Sequence, residues 1–443
     1  MSTAQLSRMP AIYLQTFGCQ MNAADSNGLA HQAWSLGCSF TDEPQAADIL
    51  IVNTCAIREK AETRVYGRLG QLKALKRPES KLLVTGCLAE KDRAVMRTKA
   101  PWVDALLGPR EYSTFKALLA DWGVPTDLAP RDTPLRLPSA EDGSVGVALE
   151  YAHLRSLVSI TRGCEKFCTY CIVPYTRGPL ESIAPEEIEK QVRREVRCGA
   201  KEITLLGQNV NSYCYEGLDF ANLMRRLDAI EGLERLTFLT SHPHDFNRDV
   251  VDALAELRTV APRLHLPIQS ASNDVLDAMG RLYTVEEYLE KIAYFRERLP
   301  GWALTTDIIC GFPTEREEDF QQTLDLVNSG AFEYAFIFAY SPRSGTPAAT
   351  MTPQVDPQER LRRLQAINTA QLESSRRFHE RFIGETVRVL ASGPSKKDAT
   401  KMAGKSGHNV TVIWPRDERT QHHAFVDVIV EQAHSWGLIG QVA

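Results

Sequence analysis

The chain contains no apolar run approaching the roughly 18 residues that cross a membrane. Its opening, Met1-Ser-Thr-Ala-Gln-Leu-Ser-Arg-Met-Pro10, lacks the apolar core and cleavage site of a secretory leader. Both absences point to a cytoplasmic protein without membrane contact. A strong charge bias is missing too: a net charge of -5 over 443 residues excludes a uniformly basic nucleic-acid binder and leaves only local basic surfaces open. Ten cysteines in a reducing compartment are not a disulfide framework, so metal or redox chemistry is the expectation for those that cluster. The remaining composition, 43% hydrophobic and 24% charged, is that of a globular protein, and the length predicts about two to four domains.

One more absence is local. Ile160-Thr-Arg-Gly-Cys164-Glu-Lys-Phe-Cys168-Thr-Tyr-Cys171-Ile-Val-Pro-Tyr-Thr-Arg-Gly178 places three cysteines at C-x3-C-x2-C spacing with no fourth beside them. A structural zinc site closes with four ligands, whereas a [4Fe–4S] cluster held by three cysteines keeps one iron open to a small molecule. Zinc completed by a distant ligand is the alternative that spacing leaves open.

Three apolar runs upstream share one plan. Ile12-Tyr-Leu-Gln-Thr-Phe-Gly-Cys19, Asp48-Ile-Leu-Ile-Val-Asn-Thr-Cys55 and Lys81-Leu-Leu-Val-Thr-Gly-Cys87 each read as a strand ending at a cysteine and followed by a helical pattern. Strands joined by crossover helices form parallel sheets whose carboxyl ends share one edge. Cys19, Cys55 and Cys87 should therefore converge as a second three-thiolate metal site. Taken singly, each could instead be a small buried residue.

The pattern decays after Trp122, and 125–149, rich in Pro, Asp, Thr and Ser, reads as a linker between an amino-terminal domain (1–124) and a core (150–382). In the core, strands at Leu157–Ile160, Glu202–Leu206, Leu236–Thr240, Arg263–Leu266, Ala303–Ile309 and Tyr334–Tyr340 alternate with helical segments. Six such units predict an open partial (β/α)6 barrel. A long charged helix from Pro357 to Phe382 leads to short strands over 383–443, read as a small β-barrel. The fold class is thus α/β with three domains: a parallel-sheet domain, the partial barrel and the carboxyl-terminal β-barrel.

The spacing of Cys164, Cys168 and Cys171, with Tyr170 before the last, resembles the signature of radical S-adenosylmethionine (SAM) enzymes. Three domains in this order resemble the methylthiotransferases of that class, whose last domain is a TRAM barrel. Cys171-Ile-Val-Pro-Tyr-Thr-Arg-Gly178, Leu205-Leu-Gly-Gln-Asn-Val-Asn-Ser-Tyr213, Ser241-His-Pro and His265-Leu-Pro-Ile-Gln-Ser270 resemble the branch that makes 2-methylthio-N6-(dimethylallyl)adenosine at position 37 of tRNA. Branches acting on a ribosomal-protein aspartate or on threonylcarbamoyl-adenosine come second.

The resemblance implies two [4Fe–4S] clusters, the radical one on Cys164, Cys168 and Cys171 and an auxiliary one on Cys19, Cys55 and Cys87. It implies two molecules of SAM per turnover, one methylating a sulfur at the auxiliary cluster and one yielding the radical that removes hydrogen from carbon 2 of the adenine. An electron donor from outside the chain is required, and a monomer is expected. SAM contacts implied are Tyr170, Gly207, Gln208, Asn209, Ser241, Gln269, Asp307 and Tyr340, with Gly311-Phe-Pro beside the SAM adenine. Asp307 could equally cap the turn that follows it. Three residues depart from the family pattern: Ala271 and Thr314 stand where glycine is usual, and Arg316 where threonine is common.

An apolar pocket for carbon–hydrogen activation is expected around Phe336, Phe338 and Tyr340, although these rings could simply fill the barrel. Arg376, Arg377, Arg381, Arg388, Lys396, Lys397, Lys401 and Lys405 crowd the junction of the long helix and the last domain. Of these, Arg377, Lys396, Lys397 and Lys405 are the expected phosphate contacts for the anticodon stem-loop, although Arg376 and Arg377 could equally belong to a solvated helical face. Tyr175 and Tyr213 are the stacking candidates for a splayed-out base. From a different class, the competing reading is a zinc-stabilised RNA-binding protein with its carboxyl-terminal barrel as the working part.

Overall fold

In the computed structural model, the three cysteine-ended runs are the central strands of one parallel sheet. The structure describes residues 9–56, 59–126, 153–418, 420 and 422–443, so all but the first two residues of the expected linker lie outside the described residues. Two units form: Met1–Gly146 with Arg162–Glu165 and Ile172–Leu180, and Val147–Thr161 with Lys166–Cys171 and Glu181–Ala443. Residues 150–382 and 383–443, expected as separate domains, fall mostly within the second unit. Among the described residues no helix is long and apolar enough to cross a membrane.

The first unit is built on β1 (Ala11–Thr16), β2 (Ser39–Thr41), β3 (Ile49–Thr54), β4 (Lys81–Gly86) and β5 (Ala105–Leu107), in the order β2-β1-β3-β4-β5, all parallel. Every residue of β3 is buried, as expected for a central strand covered on both faces. Ile49 and Ile51 pack with Leu29 and Ala33 of α1 (Gln20–Ser35) and with Phe115 of α5 (Phe115–Asp121). Leu50 and Val52 pack on the other face with Val65, Leu69 and Leu72 of α2 (Glu59–Leu75). Helices α3 (Cys87–Lys91) and α4 (Arg93–Lys99) follow β4.

The second unit carries six parallel strands in chain order. These are β6 (Arg155–Ser159), β9 (Glu202–Leu206) and β12 (Arg235–Phe238) in one sheet, and β13 (Arg263–His265), β14 (Ala303–Cys310) and β15 (Tyr334–Ala339) in the other. The two-residue strands β7 (Thr161–Arg162), β8 (Glu181–Ser182), β10 (Cys214–Tyr215) and β11 (Leu218–Asp219) decorate the connections. Six strands that do not close into a ring are the open partial barrel expected. On β13 to β15, Leu264, Leu304, Ile308 and Ala335 face a core shared with Ile367 of the helix Pro357–Glu380. The opposite face presents His265, Thr305, Asp307, Tyr334, Phe336 and Phe338, following the period-2 alternation of a strand.

The last segment is a closed barrel in the order β16-β17-β18-β20-β19, from β16 (Thr386–Pro394), β17 (Lys401–Ser406), β18 (Thr411–Pro415), β19 (Phe425–His434) and β20 (Gly437–Val442). Strand β17 escapes a sequence reading because its inward positions are Met402, Gly404 and Ser406, so only one bulky apolar residue marks the alternation. The barrel seats on the amino-terminal ends of the core strands. Arg235, first residue of β12, donates to the Lys405 and Arg388 carbonyls at 3.1 and 3.3 Å, and Arg155, first residue of β6, to the Leu390 carbonyl at 3.3 Å.

Thr314 adopts φ +73°, a left-handed conformation that a β-branched residue enters at a cost and glycine does not. Thr314→Gly should therefore raise stability by about 0.5–1 kcal/mol after glycine's greater unfolded-state entropy is offset, a gain readable as a higher thermal midpoint.

Candidate active site and iron–sulfur centres

Cys19, Cys55 and Cys87 stand just beyond the carboxyl ends of β1, β3 and β4, three neighbours in the sheet. Backbone geometry demands this placement at two of them. A Cβ on Gly18 (φ +129°) would lie 2.5 Å from Cys55 Cβ, and one on Gly86 (φ +96°) would lie 2.2 Å from the Thr54 carbonyl oxygen. Below them, the Asn22 amide donates to Asn53 Oδ1 at 2.9 Å and the Asn53 amide returns to the Asn22 carbonyl at 2.9 Å, tying α1 to β3. Cys55 and Cys87 are buried and Cys19 is half-buried. Hydrogen bonding with Cys55, with help from Asn22 and the Arg177 charge, holds the Cys19 thiol down at about 6 against its burial. Burial pushes the Cys87 thiol up although Arg177 opposes it.

Among the described residues no group of three His, Cys, Asp or Glu side chains could hold a metal ion.

In the radical loop, Cys168 is buried, and Cys164 and Cys171 are half-buried. The loop is bolted down around Thr169, whose N–H donates to the Met279 carbonyl at 2.9 Å and whose hydroxyl donates to the Ala278 carbonyl at 2.8 Å. Arg281, two residues on, places Nη1 3.5 Å from both Cys168 Sγ and the Tyr170 hydroxyl, Nε 3.0 Å from the Tyr283 hydroxyl and Nη2 3.1 Å from the Pro267 carbonyl. Burial works against its charge, but Tyr170, Tyr283 and Cys168 around it raise its pKa. Tyr170 packs with Phe312, which in turn meets Tyr340 edge-on. Lys166 Nζ donates to Asp245 Oδ1 at 2.8 Å, and Asp245 also takes the Asn209 amide at 2.6 Å.

The carboxyl edge of the six strands concentrates unmet hydrogen-bonding capacity. Gln208 Oε1 and Nε2, Asn209 Oδ1, Ser241 Oγ, His242 Nε2, Gln269 Oε1 and the Tyr340 hydroxyl are all buried with no partner among the described residues. Orphans of this kind are costly, and a bound polar ligand that meets them removes the cost. Thr240 (φ +66°) and Gln269 (φ +73°) hold strained backbone at the same edge. His242 Nδ1 accepts the His244 N–H at 3.2 Å, so its proton sits on Nε2, and burial with the nearby Arg281 charge lowers its pKa to about 2. Gly207 has no room for a side chain, since a Cβ would lie 2.0 Å from Thr161 Oγ1. The edge thus offers donors and acceptors of both kinds to a polar ligand.

Several expected residues sit elsewhere. Tyr213 is 2% exposed and donates its hydroxyl to the Ile183 carbonyl at 2.9 Å, so it cannot stack on a base. Tyr175 is exposed, in the short helix Val173–Arg177. Phe336 and Phe338 are exposed on the sheet face opposite that core, but Tyr340 is buried beyond the strand. Asp307 is mid-strand, 3.5 Å from His265 Nε2, and caps no turn. Ala271 is buried and its N–H donates to Thr323 Oγ1 at 3.0 Å, while Arg316 reaches Asp274 at 2.6 Å.

Lys396 and Lys397 are exposed between β16 and β17, and Arg377 is exposed on the long helix. Arg376 is engaged by Glu373 and Glu380, and Arg388 by Glu234. Lys405 is the clear departure, because its ammonium turns in to Thr411 Oγ1 at 2.8 Å and the Asn409 carbonyl at 3.2 Å. Burial, then repulsion from Arg155 and Arg263, lowers its pKa to about 8. Unfolded, the lysine keeps its proton up to the ordinary 10.5, so between about 8 and 10.5 the unfolded chain binds more protons and stability rises with pH. Relative to Lys405→Met, the wild type should gain on the order of 2 kcal/mol across that window, measured by urea denaturation at both ends.

Sequence comparison agrees with this geometry. Residues 158–327 match the Radical SAM superfamily and residues 11–108 match the Uncharacterized protein family UPF0004. Among solved structures, the radical S-adenosylmethionine methyltransferase TsrM from Kitasatospora setae, with tryptophan and aza-SAM bound, superposes with a TM-score of 0.56 at 14% identity, over 76% of this chain and 75% of its own. The cobalamin-dependent radical enzyme OxsB superposes at 0.51 and 12% identity, over 82% of this chain and 56% of its own. Such likenesses concern the fold. Fold and site together define a radical SAM enzyme.

Curated relatives narrow the class. The tRNA-2-methylthio-N(6)-dimethylallyladenosine synthase of Natranaerobius thermophilus is 38% identical over 100% of this chain and 99% of its own, and that of Moorella thermoacetica 40% over 96% and 97%. The chain belongs to the family of tRNA-2-methylthio-N(6)-dimethylallyladenosine synthases.

Proposed function

We propose that the protein methylthiolates carbon 2 of N6-(dimethylallyl)adenosine at position 37 of tRNA, giving the 2-methylthio derivative, in the cytoplasm. The observation that carries this reading is the full-length likeness to synthases of that name, which spans both cysteine trios. When bound, two [4Fe–4S] clusters and SAM supply the adenosyl radical, the methyl group and the site of sulfur transfer.

This chain's residues hold and orient those groups. Cys164, Cys168 and Cys171 anchor the radical cluster, and Arg281 braces the loop beneath it. Gln208, Asn209, Ser241, His242 and Gln269 turn their orphaned polar atoms to SAM. Cys19, Cys55 and Cys87 anchor the auxiliary cluster. The sheet face with Phe336 and Phe338 offers exposed apolar surface to the adenine and its dimethylallyl group. Tyr175 offers a stacking ring, while Lys396, Lys397 and Arg377 offer cations to the stem-loop phosphates.

The test is to incubate the anaerobically reconstituted enzyme, SAM and a reductant with a dimethylallylated anticodon stem-loop, an unprenylated one, a threonylcarbamoylated one and the ribosomal protein. Mass spectrometry should find the methylthio increment on the dimethylallylated RNA. An increment confined to either of the last two substrates would overturn the assignment.

A further inference from the structure

Arg177 follows the radical loop in the chain, yet its segment, Ile172–Leu180, belongs to the same compact unit as the amino-terminal sheet. Its guanidinium donates through Nε to Cys87 Sγ at 3.2 Å and through Nη2 to Asp25 Oδ2 at 2.7 Å. Both partners of this ion pair are enclosed, with side chains 6% and 10% exposed. Ile172, at the start of the segment, packs with Ala56, next to Cys55, and with Cys87 itself.

A buried ion pair is a weak stabiliser compared with apolar packing of the same volume, so propping up a short helix does not explain it. A metal-bound thiolate does, because a guanidinium nitrogen is a matched, charge-assisted donor to it. A [4Fe–4S]2+ cluster on three thiolates carries one net negative charge, and accepting one electron makes it two. A cation 3.2 Å from a ligand sulfur stabilises the more negative state more, and the carboxylate behind it does the reverse. The arginine therefore raises the reduction potential and Asp25 moderates it.

We propose that Arg177, fixed by Asp25, is a positioning residue that sets the reduction potential of the auxiliary cluster through its hydrogen bond to Cys87. The proposal rests on the reading that Cys19, Cys55 and Cys87 hold that cluster.

The experiment uses the full chain with Cys164, Cys168 and Cys171 changed to alanine, reconstituted anaerobically so that one cluster remains. It is titrated with dithionite and mediators and followed by electron paramagnetic resonance. Arg177→Gln should shift the midpoint to more negative potential, Asp25→Asn to more positive, and Arg177→Lys should stay near the parent. Unmoved midpoints, or the first two moving in the same direction, would overturn the proposal. If Arg177→Gln loses its cluster, the positive shift of Asp25→Asn and the unchanged Arg177→Lys decide it. A parent that takes up no iron would instead refute the ligand assignment beneath it.

Discussion

Cys87→Ala is expected to leave reductive SAM cleavage detectable while abolishing methylthio transfer. Cys87 follows β4 in the amino-terminal sheet, and the residues assigned to SAM all lie in the six-stranded core, so the two tasks depend on separate sets of ligands. Removing one of three thiolates leaves an incompletely held auxiliary cluster. The side chain is small, and its loss from a site beside Ala56 and Ile172 creates little cavity, so the apoprotein should fold normally by circular dichroism. The measurement is 5′-deoxyadenosine by chromatography alongside product RNA by mass spectrometry. Loss of both with the fold intact would contradict the division of labour.

Arg281→Ala is expected to have the second large effect. It removes a cation that touches Cys168, Tyr170, Tyr283 and the Pro267 carbonyl at once, leaving the loop braced by the Thr169 hydrogen bonds, the Lys166–Asp245 pair and the packing of Tyr170 on Phe312. Charged hydrogen bonds of this kind are worth about 1.5–3 kcal/mol each in isolation, so a loss of about 2.7 kcal/mol in productive positioning corresponds to roughly a hundredfold lower rate of SAM cleavage. Arg281→Lys keeps the charge but not the fork and should recover only part. Iron content should stay near wild type, which separates weakened positioning from cluster loss. Unchanged cleavage in Arg281→Ala would show the loop to be held without it.

What the sequence made legible was whatever rests on short-range pattern. The strand before each of Cys19, Cys55 and Cys87 is a run of alternating or continuous apolar residues, and parallel topology follows from the helices between them. The six core strands were recognisable for the same reason. Residues whose roles arise from long-range packing were not. Arg281 is separated from Cys168 by over a hundred positions and Arg177 from Cys87 by 90, and nothing local distinguishes either from a surface arginine. Lys405 looked like a phosphate contact because β17 has no apolar alternation to show that it is a strand, and hence that its lysines are placed by a barrel. Tyr213 looked available because it ends a polar stretch, yet its hydroxyl is satisfied by the Ile183 backbone and its ring belongs to the core.

Two cysteine trios acting as two separate cluster sites are the centre of this mechanism, and iron and sulfide analysis of anaerobic protein tests them most directly. Wild type should carry about eight irons with matching sulfide, and replacing either Cys164, Cys168 and Cys171 or Cys19, Cys55 and Cys87 with alanine should leave about four. Stoichiometric zinc, or about four irons in the wild type that persist when the amino-terminal trio is removed, would contradict it.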